Sequence, residues 1–327
     1  MKFVFYGAFG RDVVGPAIAA APGVVLQYAD TAETLAEYLA DADAFVTVGP
    51  AYTPAVANAV ASASKLQWIQ TLSAGFETLE RLGVPAHITV TNAGDSWSIA
   101  VAEHAMALLL ALAKQIPDAV RQQGSHAWDR RVMPRMSNLQ GRTMVIAGFG
   151  SIGQAVAQRA KAFGMRIVAV TRNIKPSDLA DAVFPPEELH EALQQADALV
   201  IAVPGQADTV RMFNQAVFLA CKKGCVVINV SRGNVVEQKA LADALKSGHL
   251  GGAGLDVTEI EPLPEADAFW DMPNLLITPH VAGGGELVKE KLAALIIDNI
   301  NRKKRGDNLR FVVMRGRGID GGRDSSA

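Results

Sequence analysis

Three short stretches each place one reactive side chain directly after a predicted strand or in a loop. They are Ser231-Arg232-Gly233, Glu261-Pro262 and Thr278-Pro279-His280. A guanidinium can hold a carboxylate and polarise a carbonyl through paired hydrogen bonds. An imidazole can donate and withdraw a proton near neutral pH, and a carboxylate on its other nitrogen would orient it. Singly, each residue could be an ordinary surface, loop or structural residue; their joint placement makes Arg232, Glu261 and His280 catalytic candidates.

A glycine-rich turn lies upstream, in Gly148-Phe149-Gly150-Ser151-Ile152-Gly153, between a run rich in Val and Ile and a helix-forming segment. In such a strand–turn–helix unit Gly148 permits the sharp turn, Gly150 lets the backbone approach a diphosphate, and Gly153 allows close packing. The phosphates would lie on the N–H groups at the N-terminus of the helix, whose first residues are Ser151 and Ile152. We therefore expect a bound dinucleotide rather than a purely structural turn.

The end of the next predicted strand discriminates between the two dinucleotides. NAD-binding units place an acidic residue there for the ribose 2′-hydroxyl, whereas NADP-binding units need positive charge for the 2′-phosphate. This chain has Thr171-Arg172-Asn173, with Lys175 close behind. NADP(H) is therefore favoured, and NAD(H) stays possible if Arg172 is an ordinary solvated residue.

Composition is that of an ordinary two-domain enzyme. The chain has 327 residues and a formal net charge of −2, which argues against a nucleic-acid partner or an anionic membrane. The longest apolar candidate, Ala105 to Ala113, is too short for a membrane span, and the N-terminus lacks a signal-peptide pattern, so we expect a cytoplasmic protein. Cys221 and Cys225 lack metal-site spacing. They are expected to be buried or semi-buried thiols, and no metal is expected.

Strand-like and helix-like segments alternate along the chain, which predicts an α/β fold with two doubly wound parallel sheets. Strands of the first sheet are predicted at 2–6, 24–28, 44–48, 66–70 and 88–91, and those of the second at 143–147, 166–170, 198–203, 226–230, 252–256 and 275–278. A long apolar helix is predicted from Ser98 to Gln115, as an interdomain connection or a subunit interface. An amphipathic helix from Glu286 to Asn301 is predicted to lead back to the first domain. The basic run that follows it, Arg302 to Arg305, is predicted to be a solvated helix end.

These motifs resemble the D-isomer-specific 2-hydroxyacid dehydrogenase family. The resemblance covers nearly the whole chain and is carried by Gly148–Gly153, by Val226–Gly233, by Asp256-Val257 leading to Glu261–Pro264, and by Trp270 to His280. It implies a Rossmann-type dinucleotide-binding domain (98–285) inserted in a flavodoxin-like substrate-binding domain (1–97 and 286–320), with a disordered tail (321–327). It also implies a cleft between the domains and a homodimer.

The resemblance assigns further site residues. Ser73-Ala74-Gly75 resembles the family's loop whose N–H groups bind the substrate carboxylate, together with Arg232 and His280. The residues expected to contact the cofactor are Gly148, Gly150, Ser151, Ile152, Gly153, Thr171, Arg172, Val203, Pro204, Thr209, Val230, Ser231 and Asp256. His104 is expected to pack against the other domain or a partner subunit, and Trp128 could cap the partner's active site.

Departures from the family pattern concern the cofactor and the substrate. Thr171-Arg172 replaces the acidic strand end, as in the family's NADP-preferring glyoxylate and hydroxypyruvate reductases, and Val203-Pro204-Gly205-Gln206 replaces the commoner Leu-Pro-Leu-Thr. The expected activity is hydride transfer between NAD(P)H and a small 2-keto acid or D-2-hydroxy acid, with glyoxylate or hydroxypyruvate favoured. The alternative is a dinucleotide-sensing corepressor of the same fold with little turnover, which could retain the Arg, Glu and His set.

Overall fold

The computed structural model describes residues 1–315 and divides the chain into two compact α/β units. One unit joins Met1–Trp97 to the segment that begins at Gly285, and the other is the continuous stretch Ser98–Gly284. The predicted end of the substrate-binding domain at residue 320 and the predicted tail 321–327 lie outside the described residues.

The first unit is built on a six-stranded sheet. Its strands are β1 (Lys2–Tyr6), β2 (Val25–Ala29), β3 (Ala44–Thr47), β4 (Trp68–Thr71), β5 (Thr89–Thr91) and β13 (Val312–Arg315). Their order is β13-β5-β4-β3-β1-β2, in which β13 alone is antiparallel to its neighbour. The parallel part therefore has the 2-1-3-4-5 order of flavodoxin-like sheets, as predicted.

Within residues 1–315, the α-helices of this unit are α1 (Val14–Ala19), α2 (Ala32–Leu39), α3 (Pro54–Ser62), α4 (Glu77–Leu82) and α11 (Glu286–Arg305). Local sequence explains their ends. Thr53 caps α3 by accepting the Val56 N–H at 3.4 Å, with Pro54 at the first helical position. The predicted basic run forms the last turn of α11, where cations offset the helix dipole, and Gly306 ends it with a left-handed φ of 77°.

The second unit is built on a seven-stranded parallel sheet. Its strands are β6 (Thr143–Ala147), β7 (Arg166–Val170), β8 (Ala182–Phe184), β9 (Ala198–Ile201), β10 (Cys225–Asn229), β11 (Leu250–Leu255) and β12 (Leu275–Ile277). The order β12-β11-β10-β9-β6-β7-β8 is the Rossmann order with one strand added. Strands β7 and β8 are added on one side of β6 and strands β9 to β12 on the other, so the strand order reverses between β6 and β9. Ligands bind at such a switch point, beyond the carboxyl ends of the strands.

The helices of this unit are α5 (Ser98–Ala113), α6 (Ile116–Gly124), α7 (Ser151–Ala162), α8 (Leu189–Leu193), α9 (Gln215–Ala220) and α10 (Gln238–Lys246). Helix α5 packs against α7 and against β10 and β11, which explains why it is apolar on most of its surface. Within residues 1–315 no single helix is long and apolar enough to cross a membrane; α5 and α6 reach that length only as a pair, bent by 67°.

The prediction of two doubly wound sheets is confirmed, with two strands missed. Strand β8 has three residues, and β13 lies beyond the last predicted helix. Other differences are shifts of strand ends by one to a few residues. These shifts arise because the ends of a strand depend on where it pairs with its neighbour, and the local sequence does not show that pairing.

Candidate active site

His280 and Glu261 form a direct pair in the second unit. The imidazole Nδ1 lies 2.7 Å from Glu261 Oε2, and the His280 side chain is 54% exposed, so a reactant can reach the ring. The other carboxylate oxygen, Oε1, accepts the Thr258 N–H at 3.1 Å. One carboxylate oxygen is thus tied to its own loop and the other to the imidazole, which fixes the direction of the ring.

Gly233 links the Arg232 segment to the Glu261 loop. A Cβ placed on Gly233 would lie 1.7 Å from the Thr258 carbonyl oxygen and 2.6 Å from the Glu259 nitrogen, so the two backbones are in direct contact. Only glycine permits this approach, because any side chain would occupy the space of the neighbouring peptide. The residue after Arg232 therefore packs on the loop that carries Glu261.

Arg232 follows β10 and is positioned by Asn229, which is fully buried. Asn229 donates to the Arg232 carbonyl at 3.0 Å and accepts the Ser231 N–H at 3.1 Å, so one amide side chain shapes the whole turn. Arg232 Nη1 donates to the Ser231 carbonyl at 2.8 Å. A Cβ on Gly205 would lie 2.7 Å from Arg232 Cγ. The glycine that departs from the family pattern thus leaves room for the arginine stem.

Asp256 organises the turn that carries His280. Its Oδ1 accepts the Val281 N–H at 2.9 Å and its Oδ2 the Ala282 N–H at 2.9 Å, and its carbonyl accepts the His280 N–H at 2.8 Å. The Asp256 side chain is 2% exposed. Family resemblance predicted a cofactor contact for Asp256, which stays a prediction; the structure shows that its carboxylate holds the turn that carries His280.

The expected packing of His104 against the other domain or a partner subunit stays a prediction, and the structure places its ring nitrogen in a contact within its own unit. His104 Nε2 lies 2.8 Å from the Thr278 hydroxyl, within the same unit. The sequence could not show this bond, because it joins residues on α5 and beyond β12 that are 174 positions apart.

The glycine-rich turn fits a diphosphate. Gly148 has a φ of +93°, and a Cβ on it would lie 2.5 Å from the Ala202 carbonyl oxygen, at the β6–β9 switch point. A Cβ on Gly153 would lie 2.1 Å from the Gly148 carbonyl oxygen, whereas one on Gly150 would meet nothing within 4 Å. The backbone at Gly150 is therefore open to an approaching ligand, and α7 begins at the next residue, Ser151, followed by Ile152.

Arg172 leaves the end of β7 and reaches the loop after β9. Its Nη1 lies 3.3 Å from Asp208 Oδ2 and its Nη2 lies 3.1 Å from Gln206 Oε1. The side chains of Arg172 and Asp208 are each 62% exposed, so this ion pair contributes little stability and can exchange partners. Thr171 precedes it, and its hydroxyl accepts the Asn173 N–H at 3.3 Å.

Thr209 shapes the loop that begins at Val203 and Pro204. Its buried hydroxyl bonds the Pro204 carbonyl at 2.6 Å and accepts the Gln206 N–H at 2.9 Å. The Thr209 hydroxyl is thus occupied by backbone groups of its own loop and holds that loop in shape. Val230 and Ser231, at the end of β10, are both buried.

The Ser73–Gly75 loop belongs to the first unit. The Ser73 hydroxyl accepts the Gly49 N–H at 2.8 Å, and Asn92 Nδ2 donates to the Ala74 carbonyl at 2.6 Å. Among residues 1–315, no hydrogen-bond acceptor takes the N–H of Ala74 or Gly75. The loop is thus held through the Ser73 hydroxyl and the Ala74 carbonyl, which suits a role in which its N–H groups donate to a ligand.

The two cysteines are free and buried, as expected from the sequence. A hydrogen bond with Cys221, followed by burial, raises the pKa of the Cys225 thiol well above its ordinary value. Such a thiol is a poor nucleophile at neutral pH. Within residues 1–315 no group of three or more His, Cys, Asp or Glu side chains has a geometry that could hold a metal ion.

A Rossmann sheet with an open glycine turn at its switch point and an imidazole–carboxylate pair in the same unit defines a dinucleotide-dependent dehydrogenase. Residues 106–282 match the NAD-binding domain of the D-isomer specific 2-hydroxyacid dehydrogenases. A glyoxylate reductase from Pyrococcus furiosus is 34% identical over 283 residues, which cover 84% of this chain and 83% of that protein. The chain therefore belongs to the D-isomer specific 2-hydroxyacid dehydrogenase family and is an NAD(P)-dependent oxidoreductase.

Solved structures support the same conclusion. A D-isomer specific 2-hydroxyacid dehydrogenase family protein from Aeromonas salmonicida superposes with a TM-score of 0.86 at 29% identity, over 96% of this chain and 99% of that chain. An NADPH-dependent glyoxylate/hydroxypyruvate reductase from Sinorhizobium meliloti, in complex with NADP and sulfate, superposes with a TM-score of 0.82 at 27% identity, over 96% and 98% of the two chains. The dinucleotide-binding domain predicted from the glycine turn is thereby confirmed.

Proposed function

We propose that this protein uses NADPH to reduce a small 2-keto acid to the D-2-hydroxy acid, with glyoxylate or hydroxypyruvate as the favoured substrate. The observation that carries the proposal is the 2.7 Å contact between His280 and Glu261. It lies beyond the carboxyl ends of the strands of a Rossmann sheet, where such sheets bind ligands. The names of the related glyoxylate and hydroxypyruvate reductases support the choice of substrate.

Each of the three catalytic candidates has one task in this reaction. Because Glu261 occupies Nδ1, Nε2 of His280 is the ring nitrogen that donates the proton to the carbonyl oxygen. Glu261 keeps the imidazole oriented toward the reactants through its hydrogen bond to Nδ1. Arg232 binds the substrate carboxylate and polarises the carbonyl through its fork of N–H donors. When bound, the reduced nicotinamide supplies the hydride to the carbonyl carbon.

The preference for NADPH over NADH rests on Arg172. Its guanidinium lies at the end of β7, the position that discriminates the ribose 2′ substituent, and Gln206 and Asp208 hold it across the loop after β9. Because a 2′-phosphate carries more charge than one carboxylate, it can take over the guanidinium from Asp208. The remaining cofactor contacts predicted from the sequence, and Ser73–Gly75 as a substrate contact, stay predictions.

We also propose a homodimer, in which α6 and the segment after it form part of the interface. Five large apolar side chains on this stretch are exposed: Ile116, Val120, Trp128, Met133 and Met136. An apolar patch of this kind marks a surface that another protein covers. Trp128, which is 95% exposed, stays a candidate for contact with the partner's active site.

Initial rates with a panel of 2-keto acids, each with NADPH and with NADH, test the proposal, and chiral analysis of the product tests its stereochemistry.

His280→Gln should lower kcat by about 100-fold or more while the dissociation constant for NADPH stays within about threefold. Arg172→Ala should raise the KM for NADPH by about tenfold and leave that for NADH nearly unchanged. Arg166→Ala, at the opposite end of β7, is the control. Equal turnover of His280→Gln and wild type would refute the catalytic assignment.

A further inference from the structure

A hydrogen-bonded chain of side chains runs from the half-buried His104 on α5 to the buried Asp256, next to the turn that carries His280. His104 Nε2 lies 2.8 Å from the Thr278 hydroxyl, and that hydroxyl lies 2.6 Å from Asp256 Oδ1. His104 Nε2 is also 3.5 Å from Asp256 Oδ1. All three residues belong to the second unit, and Thr278 is two positions before His280.

The direction of each hydrogen bond in this chain follows from chemistry. A carboxylate only accepts, so the 2.6 Å contact takes the one proton of the Thr278 hydroxyl. The hydroxyl oxygen must then accept from His104, which requires a proton on His104 Nε2. The chain therefore runs from the His104 N–H through the Thr278 O–H to the Asp256 carboxylate, and it fixes the side-chain position of Asp256.

The backbone around His280 depends on that position. The N–H groups of His280, Val281 and Ala282 all donate to Asp256, the first to its carbonyl and the other two to its carboxylate. His280 itself has a φ of 53°, in the left-handed region that disfavours residues other than glycine. Such a conformation persists only where surrounding contacts over-determine it, and here Asp256 makes those contacts.

We propose that His104 and Thr278 are positioning residues for the reaction: they hold Asp256, which in turn holds the strained backbone that aims the His280 imidazole. The proposal rests on the proposed catalytic role of His280. Neither residue needs to touch the reactants. Removing the His104 N–H would leave the Thr278 hydroxyl without its donor and the Asp256 carboxylate without its adjacent imidazole. The His280 ring would then sample directions that do not reach the carbonyl oxygen.

The test compares variants that keep or remove the hydrogen-bond donor at nearly constant size. His104→Phe removes it, and His104→Gln retains an N–H near the position of Nε2. Thr278→Val removes the hydroxyl, and Thr278→Ser retains it. We expect His104→Phe and Thr278→Val each to lower kcat by about 10- to 100-fold with little change in the KM of the keto acid, because displacement of a catalytic group by about 1 Å costs about that much. The Gln and Ser variants should recover most of the loss.

The double variant His104→Phe/Thr278→Val decides whether the residues act together. If they form one chain, the double variant should lose no more than about threefold beyond Thr278→Val alone, because non-additivity marks coupled residues. Multiplied losses would overturn the proposal. So would a folded His104→Phe enzyme with wild-type kcat. His190→Phe, an exposed histidine on α8, is the control that should match wild type.

A second readout separates this inference from the proposed function. In protein labelled with ¹⁵N-histidine, the ring signals of His280, assigned with His280→Gln, should change in His104→Phe and return in His104→Gln. If this pattern holds while wild type turns over no keto acid, the proposed function fails and the positioning stands. If turnover is present and the His280 signals are the same in all variants, the positioning fails and the function stands.

Discussion

Gly233 offers the sharpest test of how the site is assembled, because an added methyl group would collide with a peptide rather than with a movable side chain. Its Cβ would lie 1.7 Å from the Thr258 carbonyl oxygen and 2.0 Å from the Thr258 carbonyl carbon. For Gly233→Ala to reach ordinary contact, the Thr258 backbone must retreat by about 1.7 Å. Thr258 carries Glu261 with it, since its N–H donates to the Glu261 carboxylate.

The displacement sets the expected loss. A misplacement of about 1 Å in a catalytic group costs about 100-fold in rate, so kcat of Gly233→Ala should fall by at least that factor. Overpacking should also lower the free energy of unfolding by about 1–3 kcal/mol. Rates with the best keto acid measure the first effect and thermal unfolding the second. Gly124→Ala is the matched control for an added methyl group, because a Cβ there meets nothing of its own chain within 4 Å. Since Gly124 ends α6, light scattering checks that this control keeps the mass of wild type. A Gly233→Ala enzyme with kcat within threefold of wild type would refute the coupling of the two loops.

Further predictions concern the cofactor, the acid–base pair, acid stability and assembly. Gly153→Ala should weaken NADPH binding by about tenfold or more in calorimetry, since its Cβ would lie 2.1 Å from the Gly148 carbonyl oxygen, and wild-type affinity would contradict the proposed cradle. Glu261→Gln should lower kcat by about 10- to 100-fold with cofactor binding retained, and an unchanged kcat would exclude its role in orienting His280. Burial tends to raise the pKa of Asp197, but the Thr143 N–H and nearby cations outweigh it and hold that pKa below 3.8. Ionised Asp197 therefore stabilises the fold above about pH 4, and this contribution disappears as the pH falls through the lowered value. Asp197→Asn should accordingly be less stable than wild type by about 1–3 kcal/mol in urea unfolding at pH 7, with a smaller gap near pH 3; an equal gap at both would argue against the effect. Val120→Glu should shift the protein toward monomer in light scattering, and an unaltered mass would exclude α6 from the interface.

Alternation of elements and turn chemistry made most of the fold predictable. The strands at 2–6, 143–147 and 166–170 have the predicted bounds, because each is a short run rich in apolar, aromatic or β-branched residues. Strand β13 was missed because it is exposed and pairs antiparallel with β5, more than 200 positions away. A strand whose pairing depends on so distant a partner has no local signature.

The site was predictable in kind and less so in arrangement. The types and order of Arg232, Glu261 and His280 suggested their chemistry, and the structure joins the last two directly. The network behind them was not predictable. The expected cofactor contacts of Thr209 and Asp256 stay predictions, and the sequence did not show that their side chains also hold the protein's own backbone. Which partner a buried polar group satisfies depends on three-dimensional proximity, and spacing in one sequence does not report it.

The first unit is completed only by the segment that follows the second unit: its helix α11 packs on α1, and its strand β13 covers the edge of β5. During synthesis, the amino-terminal 97 residues therefore leave the ribosome before either of these coverings exists. At ordinary translation rates the intervening unit alone takes roughly 10–40 s to be made, and an uncovered strand edge invites wrong pairing during that time. The continuous second unit has all its strands as soon as Gly284 emerges. The second unit can therefore fold before the first, although the first begins to be translated earlier, and the uncovered amino-terminal segment is the part of the nascent chain most exposed to wrong pairing.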